Sequence, residues 1–69
     1  MTINTMLREL GYTTSPAGIS DFQRHYNKLG SEPVHVSGEL DERTQAAIRF
    51  AFGARHAFTA LRDREAGGA

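Results

Sequence analysis

The sequence predicts an all-α domain, a small three-helix bundle with room for a C-terminal helical extension, and three observations carry that prediction. Apolar residues recur at helical spacing in three separate segments. The segments are bounded by residues that start or stop helices: Thr2, Ser15 and Asp41 in front, Gly11 and Gly30 behind. The single strand-like alternation, Val34-His35-Val36, has no second strand to pair with and reads as loop.

The first helix spans about Ile3 to Leu10, with Ile3, Met6, Leu7 and Leu10 on one face. Thr2 serves as N-cap, and Gly11 takes the left-handed conformation that closes a helix at its C-terminus. Tyr12 then falls where the chain can fold back onto Leu7. The second helix opens at Ser15-Pro16 or at Ser20, since serine caps well and proline suits the first helical position. Gly18 weakens that first turn. Ile19, Phe22, Tyr26 and Leu29 form one apolar stripe, opposed by Asp21, Arg24, His25 and Lys28 on the wet face. Gly30 supplies the stop.

Residues 31–38 read as a connector, with Pro33 against helix, both valines tucked onto the helices and Gly38 at a turn. The third helix begins at Asp41, whose carboxylate caps it, with Glu42 in the first turn where the helix dipole favours an anion. Its inward stripe is Thr44, Ala47, Ile48 and Ala51. Gly53 either ends that helix or lies within it, so one long helix and a helix followed by a fourth are both open. The whole is one domain over residues 1–65, with 66–69 as a flexible tail.

Composition narrows the function. The 69 residues include 8 basic and 8 acidic side chains and no cysteine. No basic stripe is present, since Arg55, Arg62 and Arg64 are interleaved with Asp63 and Glu65, which disfavours nucleic acid. Without cysteine there are no disulfides, thiolate metal sites or thiol nucleophiles. His25, His35 and His56 lack metal-ligand spacing, and no helix pairs a histidine with a carboxylate three residues before it. Neither a metal nor a cofactor is expected. A domain this small seldom holds an oriented catalytic histidine and an oxyanion hole, so a non-catalytic role is expected. No stretch approaches the roughly 20 apolar residues of a membrane span. The N-terminus carries no secretory signal, so as encoded the chain is expected in the cytoplasm, reaching a cell wall only by another route.

The motifs Leu7-x-x-Leu10-Gly11-Tyr12, Ile19-x-x-Phe22-Gln23 and Val36-Ser37-Gly38-Glu39-Leu40-Asp41-Glu42-x-Thr44 together resemble the peptidoglycan-binding domain-like family. The likeness is to the version found in bacterial cell-wall hydrolases and at the front of matrix metalloproteinase propeptides. It covers roughly residues 6 to 52, with Gly38-x-Leu40-Asp41-x-x-Thr44 the most specific part. Another register, with Thr44-x-x-Ala47-Ile48-x-x-Ala51-Phe52 as the middle helix, remains open. The resemblance implies a compact three-helix recognition module for cell-wall glycopeptide. Its motif residues have folding roles: Gly38 turns the chain, Leu40 enters the core, Asp41 caps, and Thr44 serves the first turn or packs inward. The connector after Leu29 is longer than the family's usual link. The propeptide's cysteine switch has no counterpart here.

A glycopeptide binder needs a shallow groove with an aromatic platform, amide or hydroxyl groups and an arginine for a carboxylate. Tyr12, Gln23, Tyr26, Asn27, His35 and Arg43 are the candidate suppliers. Each has a structural reading beside that one: Tyr26 on the core stripe, Tyr12 at the helix stop, Gln23 bridging to a loop, Arg43 as a solvated charge. On a continued third helix, Phe50, Ala54, Phe58 and Leu61 fall with Ala47 and Ala57 on a second apolar stripe. Left uncovered, it is a surface for a protein partner or for self-association; a chain that folds back after Gly53 buries it. The rival function is therefore a protein-interaction or scaffold module that docks on a cytoplasmic enzyme or assembly.

Overall fold

The computed structural model describes residues 1–29 and 32–67. Among these residues the chain forms four helices and no strand: α1 (Ile3–Glu9), α2 (Pro16–Lys28), α3 (Glu42–Gly53) and α4 (Arg55–Gly67). Its radius of gyration of 10.8 Å matches the roughly 11 Å expected of a well-packed chain of this length. No helix of the described residues is long and apolar enough to cross a membrane.

The helix ends follow from local chemistry. The Thr2 hydroxyl accepts from the Thr5 amide at 3.2 Å, capping α1. Gly11, at φ +95°, lets its own N–H reach the Arg8 carbonyl (2.9 Å) and lets the Tyr12 N–H reach Leu7 (3.1 Å). That paired arrangement closes the helix and turns Tyr12 into the core. Ser15 caps α2 through its hydroxyl, with Pro16 at the first position. Gly18 has a packing reason that its helix propensity conceals. A Cβ there would lie 2.1 Å from the Thr13 hydroxyl and 2.2 Å from its carbonyl oxygen, so the turn before α2 closes only over glycine. Asp41 caps α3, its Oδ1 accepting from the Thr44 amide at 2.8 Å.

α3 is the central element and packs against α1, α2 and α4. It buries Thr44, Ala47, Ile48 and Ala51, the stripe its spacing predicts. α2 buries Ile19, Phe22 and Tyr26, while Leu29 caps its C-terminus through a 3.2 Å bond to Tyr26. Gly30, read as the stop, lies outside the described residues.

Of the two courses open at Gly53 the chain takes the second: α3 ends there and a separate helix follows. α4 runs to Gly67 and brings Phe58 against Phe22 with ring centroids 5.7 Å apart. Three expectations are corrected. Phe58 is a core residue at 6% exposure, no part of a free surface. Of the two connector valines only Val34 is tucked in; Val36 is 42% exposed. His25, placed on the wet face, is half-buried and shares a 2.7 Å hydrogen bond with the Tyr12 hydroxyl.

Candidate ligand groove

The six polar and aromatic candidates do not converge. Gln23 has no exposed surface, and its amide is consumed within the fold. Its Nε2 donates to the Glu39 carbonyl (3.2 Å) and the Thr44 hydroxyl (2.9 Å). Its Oε1 accepts from the amides of Ser37 and Gly38, each at 3.0 Å. Four bonds exhaust a primary amide, so Gln23 ties the turn before α3 to α2 and offers a ligand nothing. Asn27 spends both ends of its amide on Val34, donating to the carbonyl (2.9 Å) and accepting from the N–H (2.8 Å). It imitates a backbone pairing partner and holds the connector down.

Tyr12 lies elsewhere, buried among Phe22 and His25, with the Arg62 guanidinium 5.5 Å above its ring. Arg62 also donates to the Leu10 carbonyl, so this cluster latches α4 onto the end of α1. Burial pushes the Tyr12 hydroxyl pKa up, with Arg62 opposing, and pulls that of His25 down, with Asp21 opposing. His35 is exposed on the connector and does not line the groove described next.

Tyr26 and Arg43 do come together. They line an open groove of about 550 Å³ with Glu32, Pro33, Val34, Ala46, Ala47 and Phe50. That volume falls within the few hundred to about 1,000 Å³ typical of small-ligand sites. Its base is buried side chain, from Tyr26, Val34 and Ala47. Its rim is exposed: Arg43 and Phe50 on α3, Glu32 on the connector. Arg43, Ala46, Ala47 and Phe50 stand at helical positions i, i+3, i+4 and i+7, hence on one face of α3. Tyr26 lines the groove, and its hydroxyl makes no hydrogen bond to another of the described residues.

Sequence reasoning missed Glu32, Pro33 and Ala46. The helical spacing around Arg43 was the available signal for Ala46; the connector residues had none, because the Asn27 clamp that sets them against α3 is a tertiary contact.

Phe50 is shared with a second, smaller groove of about 150 Å³ between α3 and α4, lined also by Leu29, Ala54, Ala57 and Leu61. Of the proposed partner stripe, Phe50 at 65% and Leu61 at 44% are the large exposed apolar members, and Ala54 is exposed beside them.

Compared with protein-family models, curated proteins and solved structures, the chain matches none of them.

Proposed function

We propose that this domain is a non-catalytic recognition module of the three-helix peptidoglycan-binding type, and that it binds cell-wall glycopeptide in the groove between the connector and α3. The observation that carries the reading is the meeting of Tyr26, Arg43 and Phe50 around one open cleft. An aromatic face, a hydroxyl and a guanidinium are the groups that a carboxylate-bearing wall fragment requires. The glycine turn at Gly11, the buried Gln23, the turn at Gly38 and the Asp41 cap add support, because they give the resembling motifs concrete folding roles.

Sedimentation with insoluble peptidoglycan sacculi tests this. Saturable sedimentation is expected, and Phe50→Ala and Arg43→Gln should each reduce it strongly. Wild-type protein that stays in the supernatant like an unrelated neutral protein removes the proposal. A protein-interaction module is the second reading, supported by the exposed Phe50 and Leu61 flanking the α3–α4 groove. Under that reading Leu61→Glu abolishes a partner contact or self-association and leaves sacculus binding untouched.

A further inference from the structure

The groove's own chemistry narrows the class of wall fragment, on the reading just proposed. Saccharide hydroxyls call for neutral donors and acceptors left over after folding. The Gln23 amide is spent within the fold and Asn27 does not line the groove, so the Tyr26 hydroxyl is the one neutral polar side-chain group there among the described residues. Beside it the lining is one guanidinium, one carboxylate, the apolar faces of Pro33 and Phe50, and the side chains of Val34, Ala46 and Ala47. Arg43 and Glu32 belong to different elements, are both exposed, and enter no ion pair among the described residues. Opposite charges bordering one cleft complement a ligand that carries both signs.

We infer that the groove recognises the peptide part of the wall and not the glycan: an extended peptide with a carboxylate directed to Arg43 and a free amine directed to Glu32. Small ligand side chains pass over Ala46 and Ala47, and an aliphatic stem lies against Phe50. The full chain of two charges and an apolar middle defines the ligand; either charge alone is a weaker fit.

The test is calorimetric titration with N-acetyl-L-Ala-γ-D-Glu-L-Lys-D-Ala, with the same peptide amidated at both carboxylates, with its lysine acetylated, and with tetra-N-acetylchitotetraose. Saturable binding of the unmodified peptide is expected, at least tenfold weaker after either modification, with no heat from the saccharide. Arg43→Gln and Glu32→Gln should each weaken the unmodified peptide at least tenfold, while far-UV circular dichroism stays that of the wild type. Saturable saccharide binding, or equal affinity for the amidated and free peptides, overturns the assignment. Sacculus sedimentation separates it from the reading beneath. Sedimentation without preference for the free carboxylate removes the peptide assignment alone. Peptide binding without sedimentation upholds the assignment and removes the wall. Silence in both assays removes both.

Discussion

The Gln23 amide joins three pieces of chain: the turn at Ser37 and Gly38, the carbonyl of Glu39 and the first turn of α3. Truncation would leave the Ser37 and Gly38 amides unpartnered at a part-buried site. Gln23→Ala should cost about 2–4 kcal/mol by urea denaturation, and Gln23→Leu should recover little despite its similar volume. A loss under about 0.5 kcal/mol would mean that water replaces the amide. Two titrating residues add a pH dependence. Burial holds the His25 pKa below the ordinary histidine value of 6.5, so the fold prefers the neutral ring. Its contribution is complete above that value and is lost as pH falls from it toward the folded pKa. The Thr44 amide holds the Asp41 carboxyl below its ordinary 3.8, so capping persists above that pH and fades beneath it. The melting temperature should therefore fall in two acid steps. His25→Gln should remove the upper one, and Asp41→Asn, which still caps, the lower.

At the level of elements, α4 distinguishes two phenylalanines that an unbroken helix would have put on one stripe. Phe58 packs on Phe22 beneath α4, whereas Phe50 stands out from α3. Phe58→Ala should cost about 3–5 kcal/mol. That is a large share of the roughly 3–10 kcal/mol available to a chain of this size, so partial unfolding at room temperature is expected. Phe50→Ala should stay within about 0.5 kcal/mol of wild type. Denaturant midpoints of the two variants measure the contrast directly. The starts of α1 and α3 and the stop after α1 were legible, and Ser15 was one of the two starts read for α2, because each depends on one side chain or one glycine acting within four residues. The break after Gly53 was legible only as one of two courses. That glycine has no left-handed φ, and a Cβ on it would meet nothing, so neither backbone conformation nor crowding at that position requires a break. Gly18 was legible only as a weak point of the first turn, because the Thr13 atoms that demand a glycine approach only once the turn has closed.

For the molecule as a whole, the candidate site is half legible. Arg43 and Phe50 can be placed together from helical spacing, but the opposite wall depends on where the connector settles. Asn27 and Gln23 decide that; Gln23 was readable as a bridge to a loop, but not which amides and carbonyls it takes, and Asn27 gave no such sign. Because these clamps exist before any ligand arrives, little ordering entropy remains to be lost on binding. The wild-type melting temperature should accordingly rise as the zwitterionic peptide is added, by an amount that follows its dissociation constant, while Arg43→Gln shows no such rise below tenfold higher peptide.

The Asn27 and Gln23 clamps also bear on how the molecule opens. The amides of Val34, Ser37 and Gly38 lie in a connector without helix or strand, where fast hydrogen exchange is the ordinary expectation. Each is nevertheless bonded to a side chain anchored on α2. They should exchange with deuterium as slowly as helical amides, and only when the connector lifts from α2. In a nitrogen–proton spectrum those three resonances would outlast their neighbours. Their decay would clock the opening of the groove wall separately from the unfolding of the helices behind it.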